Sequence, residues 1–207
     1  MNKGSLWFVL FFMHVAACLT SSGVPALRAL PHPCYRFLEI TGHSPHFQTV
    51  RQAFCDTIQP LYENQTKALA QIASSTDRTC KLLMDTQDKP MGILVFKKEP
   101  NNEYEKFSVK NSLEIKALFV INPEQNKGKG VGTALIQEAK KQAIKANASS
   151  MHLTASEAAG DRKGDVIRFF EHKGFEKPGC SWPQGDAFPL GTEHLLVFKK
   201  LYSDRED

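Results

Sequence analysis

The chain has 207 residues, of which 42% are hydrophobic and 23% charged. That is enough apolar material for one core burying about 70% of the unfolded chain's surface, and it excludes an intrinsically disordered chain. The formal net charge of +4 is mild. Its cations gather at Lys127, Lys129, Lys140, Lys141 and Lys145, which read as a solvated helix face in preference to a nucleic-acid surface.

Taken in chain order, the first feature is an apolar run over residues 5–19 behind Lys3, interrupted by His14. It is short for a membrane span, which needs about 20 residues, and suits a secretory signal. Val15-Ala16-Ala17-Cys18 also resembles the lipobox of bacterial lipoproteins. Residues 1–22 are therefore expected to be a signal peptide or membrane anchor, 23–34 a linker carrying Pro25, Pro31 and Pro33, 35–203 one folded domain, and 204–207 a polar tail. Cys34, Cys55, Cys80 and Cys180 are widely spaced with no C-x-x-C pair, so free thiols are expected, with neither a zinc site nor a disulfide framework.

Tyr35 to Thr41 reads as the first strand, followed by helical stretches near 45–59 and 64–75. Cys80–Asp85 and Met91–Lys98 read as an antiparallel pair turned by Asp88-Lys89-Pro90. Leu113 to Ile121 is a longer apolar strand feeding a glycine-bearing turn. The spacing of Val131, Ala134, Leu135, Ala139, Ala143 and Ala146 then predicts an amphipathic helix. Met151–Ala155 is expected to run parallel to the Leu113 strand, a helix follows from Asp165, and Thr192–Tyr202 is the last strand.

The turn carries the chemistry. Gly128, Gly130 and Gly132 remove every Cβ that would hold an anion away from the main chain, Lys127 and Lys129 add positive charge, and the N–H groups opening the next helix point into the turn. A diphosphate fits that arrangement. A P-loop does not match, because Thr133 follows Gly132 with no lysine between them. A dinucleotide fingerprint does not match either, since the pattern is Gly-x-Gly-x-Gly and a lysine-rich helix follows.

Lys127 to Gly132 resembles the Arg/Gln-x-x-Gly-x-Gly/Ala signature of the GNAT superfamily of acetyl-CoA-dependent N-acetyltransferases, with Lys127 where arginine or glutamine is usual. Asp165 to Phe175 resembles the family's helix ending in Tyr-x-x-x-Gly-Phe. The resemblance covers roughly residues 35–202. It implies an α+β fold, a mostly antiparallel mixed sheet splayed at one parallel strand pair with helices on both faces, and acetyl-CoA as co-substrate without a metal. It also implies that Leu118, Phe119 and Val120 hold the pantetheine arm, and that Lys127, Gly128, Lys129, Gly130, Val131, Gly132 and Thr133 hold the pyrophosphate.

In several members a glutamate at the position of Glu114 is the general base. Desolvation in an apolar strand would raise its pKa, whereas the structural alternative is a carboxylate paired with a lysine such as Lys116. The tyrosine that many relatives use to protonate the leaving thiolate is Phe170 here, so Phe170 is expected to be core or a wall for the pantetheine arm. Lys163 and Gly164 replace a usual asparagine. His152 and His194 are candidate proton acceptors or structural strand histidines, and Trp182 and Phe188 are candidates to flank an acceptor.

The expected activity is direct acetyl transfer to a primary amine, on a small molecule or a protein. The alternatives are a non-catalytic CoA-binding or membrane-tethered adaptor domain, and a transferase acting on transfer RNA or basic proteins. Acetyl-CoA is cytoplasmic, so an exported transferase would lack its donor. A cytosol-facing anchor through residues 5–19, delivery into another cytoplasm, or a start codon assigned too early would each remove the conflict.

Overall fold

The computed structural model describes residues 35–58, 65–75, 77–99, 111–126, 128–156, 165–177, 193–198 and 201. The apolar segment 5–19, the linker, Lys127, Lys163, Gly164, Trp182, Phe188, Cys34, Cys180 and the polar tail lie outside the described residues. In chain order the elements are β1 (Arg36–Ile40), α1 (Phe47–Thr57), α2 (Thr66–Ser74), β2 (Thr79–Met84), β3 (Pro90–Glu99), β4 (Ser112–Val120), α3 (Pro123–Asn126), α4 (Val131–Lys145), β5 (Ser150–Ser156), α5 (Asp165–His172) and β6 (Glu193–Phe198).

The six strands lie side by side in sequence order. Every neighbouring pair is antiparallel except β4 and β5, which run parallel. The expected α+β sheet with one parallel pair is therefore present. The β2–β3 turn closes because the Asp85 carboxylate accepts hydrogen bonds from the main-chain N–H groups of Gln87 and Lys89, both at 2.9 Å. Asp88 takes the left-handed conformation there, φ 59°, which short polar side chains tolerate.

Helices cover both faces of the sheet. Phe54 of α1 meets Phe119 of β4 edge to face, with ring centroids 5.3 Å apart. Gly92 pairs with Val120, one step along from Phe119, so its face of the sheet is the opposite one. There a Cβ at Gly92 would lie 3.0 Å from both Val131 and Leu135 of α4. Covered from both sides, β4 is buried along its whole length, as a central strand should be.

Two details differ from the sequence reading. The stretch after β4 is not only a turn: Asn122 sits at φ 48° and Pro123 starts the single helical turn α3, with the N–H groups of Gln125 and Asn126 both donating to the Asn122 carbonyl. Proline suits a first helical position because its missing N–H has no intrahelical partner there. On α4 the buried stripe runs through Val131, Gly132, Leu135, Ile136, Glu138, Ala139 and Ala143, while Ala134 and Ala146 are only half-buried.

Candidate active site

The glycine turn is built from both sides. Ile121 donates to the Met91 carbonyl at 2.9 Å, which fixes the end of β4. The buried amide of Asn126 donates to the Ile121 carbonyl at 2.5 Å, and Lys129 Nζ donates back to Asn126 Oδ1 at 3.3 Å. Just ahead of the edge strand β1, the Tyr35 hydroxyl donates to the Lys129 carbonyl at 2.5 Å. Burial and the nearby Asp85 carboxylate hold that phenol above its usual pKa, so it keeps its proton.

Within this frame Gly128 and Gly130 both adopt left-handed φ values, 72° and 74°. A Cβ built on either would meet no heavy atom within 4 Å, so the space over the turn is open. Gly130 is the N-cap of α4 and accepts from Ala134. The N–H groups of Val131, Gly132 and Thr133 therefore have no acceptor inside the helix and face the turn. Gly128, Lys129 and Gly130 are exposed, Thr133 is half-buried, and Val131 and Gly132 are buried. Lys127 is outside the described residues.

Beside the turn the sheet opens. The parallel register between β4 and β5 consists of Ser112 with Ser150, Leu113 with Met151 and Glu114 with His152, and stops there. Against β3 the β4 register skips one residue: Val95 pairs with Ala117 and Phe96 with Ile115, leaving Lys116 as a bulge. A bulge bends its strand and increases local twist, and it falls just past the last parallel pair. Beyond it, Ile121 turns its N–H to β3. Main-chain groups alternate sides along a strand, so Phe119 also faces β3, while Leu118 and Val120 direct theirs into the gap. Of the three residues expected to hold the arm, two thus present their main chain to the opening, and Phe119 anchors the strand.

At the base of the gap lies a buried charged cluster. Lys116 Nζ donates to Glu114 Oε1 at 2.5 Å, with both side chains almost fully enclosed. Lys97 of β3 approaches the other oxygen, Oε2, at 3.9 Å. Glu114 is therefore not a lone carboxylate in an apolar strand but part of an ion pair, the structural alternative with the burial of the functional one. His152, across the parallel seam, is fully buried, with Nδ1 2.7 Å from the Ser112 hydroxyl. Burial first, then the charges of Lys116 and Lys97, push its pKa down to about 3. Its ring is neutral at physiological pH.

The acetyltransferase (GNAT) family model matches residues 46–175, which takes in Glu114, the gap, the turn and α5. The chain belongs to the acetyltransferase (GNAT) family. Solved GNAT structures share its fold. Arabidopsis thaliana NAA60 in complex with acetyl-CoA is 15% identical, over 80% of this chain and 98% of that one, with a TM-score of 0.61. Spermidine N-acetyltransferase from Vibrio cholerae is 14% identical, over 84% and 98%, with a TM-score of 0.57. A GNAT acetyltransferase from Elizabethkingia anophelis with acetyl-CoA bound is 13% identical, over 80% and 97%, with a TM-score of 0.53. A search among curated proteins finds no significant match.

Phe170, on the GNAT helix α5, is fully buried. Its ring packs edge-on against Phe169 and Phe175 at centroid distances of 5.2 and 5.4 Å. It is an aromatic core residue without a titratable proton. His172 is exposed, and the side chain of His194 lies outside the described residues. Among the described residues no group of three or more His, Cys, Asp or Glu could hold a metal ion, and no helix is long and apolar enough to cross a membrane. Cys55 and Cys80 are free thiols. Burial, with Glu39 nearby, pushes the Cys80 thiol up to about 12, which makes it inert.

Two residues escaped the sequence reading. Asn126 has no assigned role in the sequence, although an asparagine five residues past Ile121 is a residue type that can bond back to main chain. Tyr35 is 94 positions from its partner, a distance that no local pattern bridges. Lys116 is the partner that the structural alternative gave Glu114, and the β3 register places the bulge of β4 on it.

Proposed function

We propose that this chain transfers the acetyl group of acetyl-CoA directly to a primary amine, without a covalent enzyme intermediate. The observation that carries this reading is the opening between β4 and β5 just past Glu114, beside the glycine turn that caps α4. A pantetheine arm is extended and rich in amide groups. Laid into the opening, it bonds to the Leu118 and Val120 main chain as an added strand would. The pyrophosphate then meets Gly128 to Thr133 and the first N–H groups of α4.

With the donor so placed, the thioester lies near Glu114. The carboxylate takes a proton from the acceptor ammonium or from the attacking amine. The nitrogen adds to the carbonyl carbon, a main-chain N–H facing the gap supports the developing oxyanion, and the C–S bond breaks to release CoA. The amine named in the Vibrio cholerae relative, spermidine, opens the acceptor series, followed by peptide N-termini and other primary amines.

Calorimetric titration of acetyl-CoA into the full chain, with desulfo-CoA for comparison, tests the donor site. Binding weakened by Lys127→Ala supports it, and absence of binding removes the reading. A second reading, a CoA-binding domain without turnover, draws on Phe170, a buried hydrocarbon ring where many relatives have a tyrosine. Binding without acetylation of any amine would favour it. For residues 5–19 we propose membrane attachment or export, and cell fractionation with N-terminal sequencing of the mature protein decides it.

A further inference from the structure

We propose that Lys116 is a catalytic residue, and that Glu114 and Lys116 together form a two-group relay that carries one proton from the attacking amine to the departing CoA sulfur. The inference rests on the acetyl-transfer reading and adds what that reading lacks, a source for the proton that ends on sulfur. Phe170 cannot supply it. His152 cannot either, being neutral until about pH 3 and bonded to Ser112 through Nδ1.

Three observations single out Lys116. It is the residue that the β3 register skips, so it sits on the bulge between Glu114 and the gap-facing main chain of Leu118 and Val120. Its ammonium touches Glu114 Oε1 at 2.5 Å. It is buried, with 3% of its surface exposed, so protons reach it through its neighbours and not from bulk water.

The step balances within the pair. The amine nitrogen bonds to the carbonyl carbon and gives its proton to the Glu114 carboxylate. The C–S bond breaks, and Lys116 gives one ammonium proton to sulfur. The carboxylic acid and the neutral amine then stand in contact, and the acid's proton crosses the 2.5 Å hydrogen bond to restore carboxylate and ammonium. No charge is left behind in a buried site, where an unpaired one would be costly.

The groups facing Lys116 set its acidity. Burial lowers its pKa most, Glu114 opposes that, and Lys97 from β3 and Arg78 ahead of β2 lower it further. His152 on β5 is neutral. The net result is an ammonium more acidic than an ordinary lysine, and a better proton donor near neutral pH.

Two readouts on the full chain test the relay. The first needs no acceptor: the ultraviolet absorbance of the CoA thiolate is followed through a pH titration of bound CoA. In the wild type the bound thiol is expected to titrate at lower pH than free CoA, because a cation faces it. Lys116→Arg should keep that shift and Lys116→Met should lose it. The second readout is turnover. Lys116→Arg keeps the charge and the pair with Glu114, but arginine does not release a proton in the working range. Its kcat should fall by about 10² to 10⁴, with KM for acetyl-CoA unchanged and the alkaline limb of the pH profile lost.

Equal thiol titration in wild type and Lys116→Met, or wild-type kcat in Lys116→Arg, overturns the relay and leaves the donor site standing. Failure of the wild type to bind CoA overturns the donor site, and the relay with it. If Lys116→Met does not fold, the turnover and pH profile of Lys116→Arg decide alone.

Discussion

Replacing Gly130 separates two things that the turn does. Its φ is 74°, and a Cβ there meets no protein atom within 4 Å, so Gly130→Ala costs only the left-handed backbone, about 1–2 kcal/mol. At about 2–4 °C per kcal/mol for a domain of this size, the melting temperature should drop by about 2–8 °C. Gly130→Asn should cost less, because asparagine tolerates this conformation. The chain already uses it so at Asn111, Asn122 and Asn147, with φ of 45°, 48° and 52°. Affinity for acetyl-CoA should behave differently. Both variants put side-chain atoms into the open space over the turn, so both should bind at least about tenfold more weakly, or 1.4 kcal/mol. Thermal unfolding and calorimetry on the same samples give the two numbers. If Gly130→Asn recovers affinity along with stability, strain was the only effect and the pyrophosphate does not sit over this turn.

Glu114→Gln is expected to lower kcat by about 10² to 10⁴ and to destabilise the fold by about 3–5 kcal/mol, because it leaves Lys116 buried without its counter-charge; full turnover across the pH range would exclude Glu114 as the base. His152 binds its proton near pH 3 in the fold but near 6.5 when unfolded. Below 6.5 the unfolded chain therefore holds more protons, and stability contributed by the neutral ring falls as pH drops from 6.5 toward 3. His152→Gln should flatten that part of the stability profile, and an unchanged profile would place the acid sensitivity elsewhere. Asn126→Ala removes the donor to the buried Ile121 carbonyl and should cost about 1–3 kcal/mol, read by urea unfolding, together with weaker acetyl-CoA binding. Gly92→Ala forces a methyl to 3.0 Å from Val131 and Leu135 and should cost about 1–3 kcal/mol; a melting temperature equal to wild type would mean that α4 yields freely.

The parts of this protein legible in its sequence are those with a local cause. Gly128 and Gly130 announce left-handed turn positions, the 3.6-residue spacing from Val131 to Ala143 announces a helix against the sheet, and the Asp85–Pro90 stretch announces a hairpin. Glu114 stands out through the resemblance, at the position where several GNAT members carry their general base. Its burial could not be read from the sequence, because Lys97 reaches it from another strand and the cover over β4 comes from other elements. In an unbulged strand residues 114 and 116 share a face anyway, so the sequence allowed the pair without showing that it would be buried. The Tyr35 bond to the Lys129 carbonyl spans 94 positions, and pairing across that distance follows from strand order, not from either residue's neighbours.

The brevity of the β4–β5 seam has a mechanical consequence. Three residue pairs join these strands, against eight between β3 and β4, so the sheet is two leaves. One carries β1 to β4, the other β5 and β6. Helix α4 lies against β3, β4 and β5 and works as the pin between them. Such a structure loosens along its seam before it melts as a whole. Slow-exchanging amides should therefore divide into two sets, with β3 and β4 the last to open and β5 following the fate of α4. Whatever occupies the cleft between the leaves will hold them at one angle, and amides on both sides of it should slow together.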